Sequence, residues 1–176
     1  PYYENGVEVF EKIRERNSKY QWGRRLLMAT YRCYIESLIS LKRFDDALKN
    51  LNSLDAVYRD HQFDAEIPIR NRLRRPYLIV KLGKPTEAIK LTEDVLAEVE
   101  ASGSPFAVGE ASYYAASVYA ALVESDESKP DQHAARSIEL LKTALQHEYD
   151  YCDVRELDFR EDPDFDAIRA HSDFPQ

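Results

Sequence analysis

The apolar positions of this chain fall into one motif that returns with a fixed period. The segment LKRFDDALKNLNSL, Leu41 to Leu54, aligns without a gap on LGKPTEAIKLTEDV, Leu82 to Val95, a shift of 41 residues. Leu41 falls on Leu82, Phe44 on Pro85, Ala47 on Ala88, Leu48 on Ile89, Leu51 on Thr92 and Leu54 on Val95. The same shift backwards lays Tyr3, Gly6, Phe10 and Ile13 on Phe44, Ala47, Leu51 and Leu54. A looser copy, SIELLKTAL, repeats the small, bulky, apolar order as Ser137, Leu141 and Ala144 after a gap of 49 residues. ESDESKP, Glu124 to Pro130, is polar and proline-ended, as an inserted loop would be. Positions i, i+4 and i+7 lie on one face of an α-helix. The small residue admits the preceding helix, the bulky one fills the space between neighbouring units, and the third closes on the next helix.

Partner helices are expected at about 21 to 41, 64 to 82 and 105 to 123. In the first, Leu27, Tyr31, Tyr34, Leu38 and Leu41 step by three or four, and Leu38 has its counterpart in Ile79. In the third, Ser104 can cap free amides ahead of Pro105, which is tolerated in a first turn. The second holds Pro68 and Pro76. Pro76 removes an internal hydrogen bond and is expected to kink or break that helix into two shorter pieces.

These features resemble the tetratricopeptide repeat (TPR), whose second helix carries such a small–bulky–apolar order. The resemblance implies an all-α fold, a right-handed solenoid of antiparallel helix pairs with a short helical cap. The usual unit is about 34 residues. A period of 41 residues is nearer the kinesin-light-chain style of repeat. Tyr119 stands where the family favours a large aromatic, whereas Arg75 stands where it prefers a small residue. The implied division is an array over 1–150, with a half-repeat at 2–16 and repeats at about 21–58, 64–100 and 105–147, followed by a capping segment at 151–176.

The tail reads SIELLKTALQHEY, then DVREL, then EDPDFDAIRAHSDF. DVREL and PDFDAIRAH have the form of short helical turns, with Asp162 as cap and Pro163 at the first helical position. From Gly109 onward this order resembles the C-terminal end of TPR arrays attached to bacterial serine/threonine protein kinases and related signalling proteins. Similar tails also close arrays fused to cyclases and transcriptional regulators. The resemblance thus implies a protein-interaction scaffold within a larger signalling protein. Its rival is a sensor array that responds to a small ligand or a nucleic acid. The chain carries no glycine-rich phosphate loop, HRD loop or DFG triplet, so phosphoryl transfer has no machinery in it.

Composition supports helices: 44% of residues are apolar, 32% are charged and five are glycine. A length of 176 residues suits one domain. Cys33 and Cys152 lack metal-site spacing and are expected as buried thiols. No apolar run spans a bilayer and no leader precedes the repeats, so a cytoplasmic chain without a membrane partner is expected. Pro1 replaces an initiator methionine and residues 2 to 16 read as mid-repeat, which suggests a piece of a longer protein. The helix at 2–16 then lacks a partner, which missing residues or a second copy would supply, the latter as a homo-oligomer.

The net charge of −8 is unevenly spread. Residues 12–84 hold 17 Lys+Arg against 8 Asp+Glu, residues 85–176 hold 7 against 21, and the first eleven add −3. Such polarity can orient a partner.

No histidine among His61, His133, His147 and His171 is spaced with another histidine or a cysteine as metal ligands are, and Asp162, Asp164 and Asp166 suit a helix N-terminus without any metal. No cofactor or catalytic residue is expected. Arg70, Arg72, Arg74 and Arg75 form the densest basic cluster, but an acidic chain with no interleaved aromatics is a poor nucleic-acid binder. The TPR register places Arg32 and Arg72 at the groove-facing position of successive first helices, with Glu36, Arg75, Tyr113 and Ser117 nearby. Forked hydrogen bonds from these arginines would grip an acidic peptide or a carboxylate terminus. The same arginines could instead pair with acids across repeats. Of the adjacent Tyr113 and Tyr114, one is expected to face the groove.

Overall fold

Wherever the small–bulky–apolar order recurs, the chain is helical. The computed structural model describes residues 2–16, 21–59, 67–149, 151–152 and 157–175. The helices are α1 (Tyr2–Arg16), α2 (Gln21–Ser40), α3 (Phe44–Arg59), α4 (Ile69–Lys81), α5 (Pro85–Ser102), α6 (Pro105–Ser125), α7 (Pro130–Gln146) and α8 (Asp166–Arg169). A 3-10 turn, Pro163–Phe165, leads into α8. The fold is all-helical apart from a two-residue antiparallel ladder, in which Tyr151 faces Asp158 and Cys152 faces Leu157. The chain divides into two compact units, Pro1–Ile67 and Pro68–Gln176.

In the first unit α2 packs against both α1 and α3. Leu27, Tyr31, Ile35 and Leu38 bury one face of α2, and Ala47, Leu51 and Leu54 bury the matching face of α3. Gly6 meets α2, the helix that follows it, and not a preceding one: a Cβ there would lie 3.2 Å from Thr30 Cγ2. Two hydroxyls tie α2 to α1, Tyr31 donating to Glu11 at 3.0 Å and Tyr34 to Glu4 at 2.5 Å.

In the second unit α6 packs against α4, α5 and α7, and α4 packs against α5. Its alanine-rich stretch explains how one helix accepts three neighbours, since every residue from Ala111 to Leu122 is buried. At Gly109 the approach is closer still. A Cβ there would sit 2.9 Å from His147 Cβ and 3.0 Å from Tyr149 Cβ, so only glycine lets the end of α7 pass. The triplets Ala88, Thr92, Val95 and Ser137, Leu141, Ala144 are buried as Ala47, Leu51, Leu54 are. The polar members satisfy themselves: Thr92 donates to the Ala88 carbonyl at 2.9 Å and Ser137 to the Ala116 carbonyl at 2.7 Å.

The period also appears in the backbone. After α2, the Lys42 amide donates to Ile39 and Arg43 to Leu38, both at 2.8 Å; after α4, Gly83 donates to Val80 at 2.8 Å and Lys84 to Ile79 at 3.1 Å. These are the paired hydrogen bonds of a Schellman turn. Both turns need a left-handed residue, Gly83 at φ 80° and Lys42 at φ 57°. The lysine bears a steric cost that glycine does not. Lys42→Gly is therefore expected to stabilise the first unit by about 0.5–1 kcal/mol, read as a higher urea midpoint at unchanged slope.

Several expectations change. The helix holding Pro76 is neither broken nor begun at 64: α4 runs unbroken from Ile69 to Lys81, and Pro68 lies just ahead of it. One missing hydrogen bond is outweighed by the burial of Leu73, Tyr77, Leu78 and Val80 around the proline. Residues 64–66, like His61, lie outside the described residues. Leu41 is 67% exposed, because it enters the turn after α2 and leaves the helical face. Cys33 is an exposed thiol, not a buried one, and the side chain of Cys152 lies outside the described residues. Of DVREL, 153–156 lie outside them too, while Leu157 belongs to a strand and not to a helical turn. No described helix is long and apolar enough to cross a membrane.

The segment expected as an inserted loop is a loop only over its middle residues 126–129, since Glu124 and Ser125 end α6 and Pro130 begins α7. Asp126 braces what remains. It accepts from the Ser128 hydroxyl at 2.6 Å and the Ser128 amide at 3.1 Å, and its other oxygen meets His133 Nε2 at 2.9 Å. These bonds, Ser128 foremost, hold its carboxyl down at about 2. A carboxyl depressed by folding stabilises above its ordinary value of 3.8 and loses that contribution as pH falls through about 2. Thermal unfolding of Asp126→Asn is thus expected to lack a part of the parent's acid-side decline over that interval, while the two curves run parallel above it.

Candidate functional site

The arginine cluster IRNRLRRP sits on α4, and its members have different fates. Arg74 is only 6% exposed and donates to Asp164 Oδ2 at 2.8 Å, while Tyr77 donates to Asp164 Oδ1 at 2.9 Å. The guanidinium also lies over the Tyr77 and Tyr114 rings, 5.0 and 5.8 Å from their centroids. Next to it, Tyr113 donates to Asp162 Oδ2 at 2.9 Å, and Asp162 Oδ1 caps the 3-10 turn by accepting from the Asp164 amide at 3.0 Å. Asp162 and Asp164 therefore fasten the tail to α4 and α6 through buried hydrogen bonds, a stronger reason for their presence than a helix dipole. Among the described residues no cluster of side chains could hold a metal ion.

Arg72 forms the cross-helix pair. Its two terminal nitrogens reach Glu98 of α5 at 2.9 and 2.5 Å, a forked bond that holds the Glu98 carboxyl below the usual carboxylate range. Arg75 is half-buried on the same helix. Tyr113 and Ser117 were expected to line a groove, but they are 1% and 2% exposed. Ser117 donates to the Tyr114 carbonyl at 2.8 Å. Tyr114 is buried as well, so neither tyrosine faces a groove. The reason is that α6 is covered on three sides, leaving it no open face at these positions. Arg32 and Glu36 are half-buried on α2, in the other unit.

The open surface of the second unit lies elsewhere. Helices α5 and α7 each pack on α6 and reach each other through the Glu93 and Arg136 side chains, with a cleft of about 190 Å³ between them. Leu96 and Val99 of α5, Val108 and Ala111 of α6 and Leu140 of α7 give it an apolar lining. Ser112, Thr143, Glu100 and Arg136 supply the polar part. Arg136 is shared between carboxylates, 2.9 Å from Glu139 and 3.5 Å from Glu93. Glu93 also accepts from Tyr119 at 2.7 Å, and burial together with this carboxylate pushes the Tyr119 hydroxyl well above its ordinary value.

Comparison with family models, with curated proteins and with solved structures finds no match to this chain.

The first unit has a wider hollow, about 330 Å³, bounded by Glu4, Glu8, Tyr34, Arg43, Asp46 and Lys49. Much of its charge is already internally paired, Arg43 with Asp46 at 2.7 Å and Glu8 with Lys12 at 2.6 Å. Neither hollow was named from the sequence. The signal for the cleft was nonetheless present: Leu96 and Leu140 are apolar residues off the repeat's own stripe, each one position from a stripe residue, Val95 and Leu141.

Proposed function

We propose that the chain is a protein-binding scaffold of TPR-like helix pairs, the repeat region of a larger bacterial signalling protein such as a serine/threonine kinase. The observation that carries the repeat reading is the recurrence of one packing scheme. Three helices bury the same small–bulky–apolar triplet, and the same left-handed turn follows α2 and α4 at a spacing of 41 residues. Helix pairs stacked in this way hold extended surfaces for other chains. In the second unit the cleft of about 190 Å³ is smaller than the roughly 300–1,000 Å³ usual for small-molecule sites, while the first unit's hollow of about 330 Å³ reaches the lower end of that range.

Selection of random peptides on the immobilised full chain tests the scaffold. Enriched peptides that bind the free chain with saturable affinity support it; a selection that enriches nothing above the bare support counts against it. Self-association through α1, where Tyr2 and Val9 are exposed, is the second element of the proposal. Light scattering that finds only monomer across a wide concentration range would remove it.

A further inference from the structure

The cleft between α5 and α7 differs in sign from the arginine groove that the repeat pattern suggests. Its lining is about half apolar, from Leu96, Val99, Val108, Ala111 and Leu140, and the carboxylates at its margin outnumber the one guanidinium. One guanidinium, Arg136, stands between Glu93 and Glu139, so it is neutralised and is no spare hook for an anion. Glu100 adds a further carboxylate on the α5 wall, and it is exposed. The volume of about 190 Å³ suits one or two side chains of a segment lying along the helices.

We propose that this cleft docks a basic aliphatic peptide segment of a partner protein. The segment seats a leucine-like side chain between Leu96, Val108 and Leu140 and sets lysine or arginine beside Glu100 and the Glu93–Glu139 pair. Apolar contact supplies the attraction, and the acidic margin supplies orientation and rejects acidic competitors. The assignment rests on the scaffold reading above and gives it a surface and a partner chemistry.

The test uses peptides selected on the full chain and measures their affinity by fluorescence anisotropy. Enriched sequences are expected to carry an aliphatic residue flanked by lysine or arginine. Thr143→Phe, which fills the cleft, and Glu100→Lys, which reverses an exposed margin charge, are each expected to weaken binding about tenfold or more. Asp173→Lys makes the same charge change in the tail and is expected to leave affinity unaltered, as circular dichroism should leave the helical content of all three. Unchanged affinity in both cleft variants overturns the assignment. Selection of acidic peptides that are lost with Arg32→Ala or Arg75→Ala also overturns it while leaving the scaffold reading standing. No enrichment at all removes both. Dimers of the parent that disappear in Thr143→Phe would assign the cleft to a second copy and likewise overturn the partner proposed.

Discussion

Asp164→Ala is expected to cost about 3–5 kcal/mol, the usual effect of deleting one member of a buried ion pair. The pair it breaks is sheltered, with both side chains 6% exposed, so solvent screening gives little relief. The variant removes the carboxylate opposite the Arg74 guanidinium and the acceptor of the Tyr77 hydroxyl together. The unfolding temperature should fall by roughly 10–20 °C. Asp164→Asn keeps an acceptor for Tyr77 and should cost less. Replacing all three residues by apolar ones, Arg74→Met with Tyr77→Phe and Asp164→Leu, should return most of the loss, because no charge then remains to be desolvated. A loss below about 1 kcal/mol in the single variant would refute the assignment of the pair as structural.

The second large effect is expected at Asp162, where one carboxylate serves two acceptors' roles. Oδ1 caps the turn that starts at Pro163, and Oδ2 receives the Tyr113 hydroxyl in the core. Loss of a cap costs about 1 kcal/mol, and removal of the acceptor of a buried hydroxyl about 1–3 kcal/mol. Asp162→Ala should therefore lose about 2–4 kcal/mol. Tyr113→Phe removes only the second interaction. Chemical denaturation of both single variants and the double variant should show a coupling near 1 kcal/mol or above; strictly additive losses would mean that the two side chains do not act together.

The helices were legible because their burial follows local periodicity. Ala47, Leu51 and Leu54 share a face whatever they pack against, and so do Ala88, Thr92 and Val95. Ser104 and Asp162 could be recognised as caps for the same reason, since a cap is settled within a few residues. Pro76 misled because a local rule was applied where tertiary burial on both sides of the proline dominates. The site was least legible. Whether Tyr113 faces a groove or a core depends on how many helices crowd α6, and that number is not written in α6 itself. The pairing of Arg74 with Asp164, 90 residues apart, has no periodic signal either. Arg72 is bound to Glu98 across helices, but within one expected repeat and not across repeats.

That 90-residue separation bears on how the chain is made. Arg74 emerges from the ribosome long before Asp164 is translated. Until the segment bearing Asp164 arrives, α4 can assemble with α5 and α6 only with a cationic side chain facing their interior and that carboxylate still missing. Completion of the second unit therefore waits for the segment that bears Asp164, and a transcript cut short before it yields a helical product that lacks its seal and is exposed to proteolysis. The tail in this sense reports that the second unit is closed.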